Sequence, residues 1–368
     1  MLIWFNLRLA CNVVLIKFCS KNNKTATNNL FSRLLTLFKF TYLIDYSIII
    51  DMNKQKNQSQ KNFILTGGDG GTVYTFAIAI PLVLSIVVSV ILVALNLSTN
   101  EKFLSSSFYI YLSFALSSVA LFLAILYFCK RNSLDFKLSV GLIKCDKKYY
   151  LIALLLAFAC LFGLGWVNDA FVAFLQKCGL TVSNVVLPKN NFGDFLACVL
   201  IVCVMPAFFE ECIFRGLVLN GARRAGDLFA VIACAILFSL YHKNPSQTVY
   251  QLILGAVFAL LTLKSGSILP ATLVHFINNF YVVVYYFLTP DGYVFDRWVQ
   301  IVLGVLGIIV FVVTVLYLIF KTQKPQRFID LDREYAKLSD KKFEAKNFIL
   351  FSLPGVIACI VLWIVSLF

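Results

Sequence analysis

The chain has 368 residues, 60% apolar and 14% charged, with a net charge of +14. Soluble domains run at roughly 45–50% apolar and about 25% charged, so a mean hydropathy of +0.86 excludes a soluble fold, a disordered chain, collagen-like repeats and a secreted disulfide scaffold. The apolar runs are about 20 residues long, which suits an all-α, polytopic transmembrane helix bundle and not the short alternating strands of a barrel.

From the N-terminus, residues 1–20 and 34–50 are apolar but broken by Arg8, Lys17, Lys39 and Asp45. No small-residue cleavage site follows a clean apolar run, so a signal peptide fits poorly. Three readings of residues 1–51 stand open: a stretch outside the natural product, one added span, or interfacial helices. Met52 opens a polar stretch that reads as a cytoplasmic tail, so residues 1–72 form one N-terminal unit.

Eight spans follow at about 73–97, 104–129, 149–166, 194–217, 227–242, 249–263, 268–288 and 299–320. They make a membrane core over residues 73–320. The spans at 227–242 and 249–263 are short for a hydrocarbon core that needs about 20 residues. They must extend into flanking residues or pack inside the bundle. Residues 321–347 mix eight basic with five acidic side chains and read as a solvated cytoplasmic linker with helical character. A C-terminal span covers residues 348–368.

Orientation follows from the Lys/Arg distribution. With residues 51–72 inside and the loops alternating, the inside loops hold twenty Lys/Arg and the outside loops five. This bias is what cytoplasmic loops produce, and it makes nucleic acid an unneeded explanation for the net charge. The chain is thus expected to be a multi-pass integral membrane protein in contact with lipid, with no nucleic-acid partner; its oligomeric state is not legible. The eleven cysteines include no CxxC pair. Most sit in apolar runs and read as small buried hydrophobes.

Charged side chains inside spans are functional candidates by default, and here they cluster. MPAFFEECIFRG places Glu210, Glu211 and Arg215 on one span, FSLYH ends the next at His242, and HFINNF carries His275, Asn278 and Asn279. Adjacent helical residues point about 100° apart, so the two glutamates cannot share a face. Arg215 is i+4 from Glu211, the favoured order for an ion pair. Glu211–Arg215 reads as a buried pair and Glu210 as the carboxylate facing a cavity. Gly226 is a plausible hairpin turn, and Glu210 and His242 each lie 16 residues from it, so they fall at similar depth. Phe238 and His242 share a face, as do His275 and Asn279. A glutamate assisted by a histidine can deprotonate water, and a second histidine with an asparagine can stabilise a tetrahedral oxyanion.

Each part alone has a plainer reading. The glutamates and arginine could be a structural salt bridge or a proton relay, His242 an interfacial histidine, Asn278 an interhelical hydrogen-bond partner. Pro206 kinks the span ahead of the glutamates. A zinc site from Glu210, His242 and His275 is a further alternative, although HExxH is absent. So is a non-catalytic immunity or scaffold protein, or a proton-coupled transporter.

As an ordered set, EExxxR (Glu210, Glu211, Arg215), FxxxH (Phe238, His242) and HxxxN (His275, Asn279) resemble the three motifs of the CPBP family. These are the CAAX protease and bacteriocin-processing (ABI) intramembrane endopeptidases, which include the Ras-converting endopeptidase. The resemblance covers about residues 190–285 and extends to the proline before the glutamates and the RGL after them. It implies a metal-independent glutamic intramembrane endopeptidase without cofactors, built on an eight-helix core. Glu210 would be the general base, with His242 positioning the water. His275 and Asn279 would form the oxyanion hole, and Glu211, Arg215 and Phe238 would support the set. The implied partner is a peptide or lipid-modified protein substrate, CAAX-like, a bacteriocin precursor or another membrane-associated peptide. The Lys-, Asn- and Ile-rich composition points to an AT-rich genome and so to a bacterial cell membrane.

Overall fold

The structure, a computed structural model, describes residues 65–180, 187–289 and 296–366. The expectations for residues 1–51 and for the tail up to residue 64 lie outside the described residues.

Ten helices organise the described residues, with short helical turns between them. In chain order they are α1 Gly67–Ala94, α2 Ser107–Arg131, α3 Lys148–Lys177, α4 Phe192–Ala225, α5 Asp227–Tyr241, α6 Thr248–Ser265, α7 Leu269–Leu288, α8 Arg297–Lys321, α9 Gln326–Leu338 and α10 Lys341–Val365. All except α5 and α9 belong to the eight helices long and apolar enough to cross a membrane. All nine expected spans are therefore helices, and among the described residues there is no strand. The polytopic all-α bundle stands.

α1 and α10 pack side by side and in parallel. Gly67 meets the Glu344 backbone, Gly71 meets Phe348 and Ser352, and Gly355 meets Tyr74 and Thr75. The first helix is started by a reciprocal cap: the Thr66 hydroxyl accepts from the Asp69 amide at 3.0 Å, and Asp69 accepts from the Thr66 amide at 2.9 Å. Such caps satisfy donors that a helix start would otherwise leave open.

Two helices depart from the expected spans for identifiable reasons. α3 runs on to Lys177 through a π-helical turn at Ala159–Gly163. There Gly163 lies backbone to backbone against Gly307 of α8. α4 runs 34 residues to Ala225, about 50 Å at 1.5 Å per residue. It is widened by π-helical turns at Val199–Val204 and Cys212–Val218, which flank the α-helical stretch Met205–Glu211. Pro206 cannot donate to the carbonyl of Val202, and the wider turn just before it accommodates that lost bond.

α5 has 15 residues, about 22 Å, the short element expected there; one side packs against α6 and α10, while Leu228, Ile232 and Ile236 remain exposed on the other. Two expectations are corrected. The turn after α5 is not a solvated outer loop, since His242, Lys243, Asn244 and Ser246 are all buried. Irregular backbone at membrane depth is tolerated where protein covers it, and here Asn244 also closes the turn by accepting from the Ser246 amide at 3.0 Å. Finally, the linker 321–347 is not simply solvated. Its middle is the amphipathic α9, which buries Phe328 and Tyr335 against the end of α4. All nine cysteines among the described residues are free, and seven of them are buried in the core clusters.

Candidate active site

Four helices converge on the polar cluster. α4 supplies Glu210, Glu211 and Arg215, α5 ends at His242, α6 supplies backbone and rings, and α7 supplies His275 and Asn279. Every one of these side chains is buried, Glu211 and Arg215 essentially completely.

Glu211 is the hub. Its Oε1 accepts from Arg215 Nη1 at 3.0 Å, the expected i+4 pair, and also from His275 Nδ1 at 2.8 Å. A buried ion pair lasts only when its remaining hydrogen-bonding capacity is met. Arg215 meets part of it by donating through Nη2 to the Gly255 carbonyl at 3.4 Å. Its guanidinium also lies 4.1 Å from the centroid of Phe238 and 5.0 Å from that of Phe258. A desolvated cation over a ring face is stabilised by about 2 kcal/mol. Gly255 is what lets α6 come close enough, because a side chain there would strike the Ala235 backbone of α5 at 2.8 Å.

Phe238 links the motifs. Besides Arg215 it touches both histidines edge to face, with ring centroids 4.8 Å from His242 and 6.0 Å from His275. The aromatic of FxxxH thus separates the two imidazoles and sets the angle of each.

The histidines are held by different partners. His242 Nδ1 lies 2.8 Å from the Phe238 carbonyl. A carbonyl can only accept, so Nδ1 carries a proton, and Nε2 is the ring nitrogen left for another partner. His275 donates through Nδ1 to Glu211, and its Nε2 faces Glu210 Oε2 at 3.9 Å. That separation exceeds a hydrogen bond and leaves the two groups as a loose pair.

Glu210 is the other half of the expected division of labour. Its Oε2 is buried with no hydrogen-bond partner, and so is Asn279 Nδ2. Glu211 Oε2 and Arg215 Nε in the same cluster are likewise without a partner. Among the described residues, neither a hydrogen bond nor an ion pair joins Glu210 to His242; the carboxylate stands nearest to His275 instead. No group of three His, Cys, Asp or Glu with metal-binding geometry occurs among the described residues.

Other residues of the site carry no motif. Tyr250 on α6 donates to Asn278 Oδ1 at 2.5 Å, which makes Asn278 an interhelical partner and locks α7 against α6. Phe258 packs on His275 at 5.9 Å between centroids. Nothing in the spacing of Tyr250 or Phe258 marks them, since each is one aromatic among many in an apolar helix.

Fold and site together define a polytopic membrane protein with a buried acid–base cluster on converging helices. A family model described as Type II CAAX prenyl endopeptidase Rce1-like matches residues 192–281, about a quarter of the chain. The match runs from the start of α4 into α7 and includes every motif residue. The CPBP-type resemblance of the motifs is thus met by an independent comparison, and this segment is similar to intramembrane CAAX-type proteases in general. No curated protein and no solved structure matches the chain.

Proposed function

We propose that the protein is an intramembrane endopeptidase of glutamic type, in which Glu210 activates water and His275 with Asn279 receives the oxyanion. The observation that carries this reading is a pair of buried polar atoms without a hydrogen-bond partner in the motif set, Glu210 Oε2 facing His275 and Asn279 Nδ2 one helical turn along α7 from His275. Leaving such groups without partners is costly in an apolar interior. A site that binds water and a peptide carbonyl recovers that cost when substrate arrives.

The chemistry follows from the proton positions. Glu210 and Glu211 contribute two negative charges and Arg215 one positive. Glu211 holds Nδ1 of His275, which leaves Nε2 as the ring nitrogen that faces the site. A proton at Nε2 can be donated to an oxygen that becomes negative, alongside Asn279 Nδ2–H. Water donates one proton to Glu210 while its oxygen bonds to the carbonyl carbon. The lone pair of His242 Nε2 accepts the second water hydrogen and fixes the direction of attack. When the C–N bond breaks, the proton on Glu210 passes to the leaving amine. No side-chain acyl intermediate forms, and water supplies the only atoms added.

The test uses detergent-purified protein and two probes, a peptide ending in a CAAX sequence and the same peptide farnesylated on its cysteine. Cleavage by the wild-type chain that disappears in Glu210→Gln supports the reading. Cleavage that survives Glu210→Gln overturns it. Activity that falls on chelation and returns with zinc would move the chemistry to a metal.

A further inference from the structure

The segment matched by the protease family ends at residue 281, yet both ends of the helix that carries His242 are held by side chains far beyond it. At the cytoplasmic end, α4 turns into α5 through Arg223, Arg224 and Gly226, the last with φ +112°. Both arginines are buried, at 2% and 7% exposure. Arg223 donates to Asp332 at 2.7 Å and to the Phe328 carbonyl at 3.3 Å, and its guanidinium lies 3.8 Å from the Phe328 ring centroid. Arg224 donates to the Ser339 hydroxyl at 3.0 Å and pairs with Glu344 at 3.2 Å. Glu344 also accepts from the Gly67 amide at 2.6 Å, where α1 begins. One buried carboxylate therefore ties the turn to the starts of two other helices.

At the opposite end of α5, the chain leaves His242 through Lys243, whose φ is +50°. A left-handed residue other than glycine is strained and needs support. The Lys243 carbonyl accepts from the Ser366 hydroxyl at 3.4 Å. Two turns of contact complete the hold: Trp363 Nε1 donates to the Thr248 hydroxyl at 2.9 Å, and the Thr248 carbonyl accepts from Ser239 at 2.7 Å. Between the two ends, α10 packs along α5, with Phe348 against Phe229.

We propose that α9 and α10 form a brace that positions His242 opposite Glu210, with Arg224–Glu344 and Trp363–Thr248 as its two fixings. No direct bond joins Glu210 to His242, so their relative placement depends on how the 223–226 turn and the 242–248 turn are held. Arg224, Glu344 and Trp363 are positioning residues and touch no reacting atom. The kinetic part of this inference rests on the proteolytic reading; the structural part does not.

The test measures amide hydrogen exchange and turnover of the farnesylated CAAX peptide on the full chain in detergent. The variants are Arg224→Ala, Arg224→Lys, Trp363→Phe and Glu210→Gln. A brace predicts that Arg224→Ala raises exchange at 239–248 as well as at its own end of α5. It also predicts a kcat lower by roughly 10- to 100-fold, the scale of a site displaced by about 1 Å, with KM unchanged and Arg224→Lys recovering part of the loss. Trp363→Phe keeps the ring and serves if Arg224→Ala does not fold; it is expected to raise exchange at 242–248 and lower kcat. Exchange changes confined to the immediate surroundings of each substitution, with 239–248 otherwise as in wild type, overturn the brace. If the wild-type chain cleaves no peptide, the proteolytic reading fails and the exchange result still decides. Glu210→Gln separates the two, since it is expected to abolish turnover and leave the exchange pattern intact.

Discussion

His275 and Glu211, 64 residues apart on α7 and α4, are joined by a 2.8 Å hydrogen bond between Nδ1 and Oε1. The glutamate that pairs with Arg215 thus also orients the histidine assigned to the oxyanion. Its neighbour Glu210 is left without a hydrogen bond on Oε2. Of the two adjacent carboxylates, Glu211 meets an arginine and an imidazole at hydrogen-bond distance, whereas Glu210 faces the same imidazole at 3.9 Å.

That division predicts opposite stability effects for two conservative substitutions. Glu211→Gln removes the anion from a fully buried arginine and is expected to cost about 3–5 kcal/mol. Glu210→Gln breaks no hydrogen bond and is expected to leave the melting temperature near wild type while abolishing cleavage. Thermal unfolding in detergent, followed beside peptide cleavage, compares them; equal destabilisation by both would contradict the assignment.

Asn279 offers a donor with no partner in the resting site. Asn279→Ala is expected to lower kcat by about 10²–10³-fold, the loss seen when an oxyanion donor is removed. KM should change little, because the donor is needed most in the transition state. A change confined to KM would place Asn279 in substrate binding instead.

Tyr250 has no place in the motifs but anchors α7 through Asn278. Tyr250→Phe leaves a buried amide oxygen unpaired and is expected to destabilise by about 1–3 kcal/mol. Because α7 carries His275 and Asn279, the same variant should also slow cleavage. Combining Tyr250→Phe with Asn278→Leu removes both polar groups and should recover part of the stability, which a double-mutant melt reads directly.

Gly163 marks the tightest crossing of α3 and α8. A side-chain carbon there would lie 2.6 Å from the Gly307 backbone carbon. Gly163→Ala is therefore expected to cost about 1–3 kcal/mol through overpacking, with activity largely kept, since neither helix supplies a motif residue. An unchanged melting temperature would show that the crossing relaxes at little cost.

The sequence carried much of this architecture and part of the site. Span-length apolar runs located every membrane helix because hydrocarbon thickness fixes their length. The i+4 spacing foretold Glu211–Arg215, and Gly226 foretold the turn between α4 and α5. Pairing between helices was beyond reach. Helical periodicity says which face a residue occupies, not which helix abuts it, so the Glu211–His275 bond and the Tyr250–Asn278 bond carried no signal. Arg223 and Arg224, beside the Gly226 turn, are buried by contacts with α9 and α10 that local spacing does not reveal. The acidic partners Asp332 and Glu344 were in plain view as linker charges, but nothing local told which cations they would meet.

The bond between Gly67 and Glu344 spans 277 residues of sequence, and this bears on biosynthesis. A ribosome making this chain releases α4 and α5 well before α10. During that interval Arg224 lacks Glu344 and Arg223 lacks Asp332, while Arg223 keeps its local partner Asp227. The motif helices can enter the bilayer early, but the cluster they carry cannot settle until the later helix arrives. On the proposed proteolytic reading, a site built this way comes into register only after the bundle around it is closed.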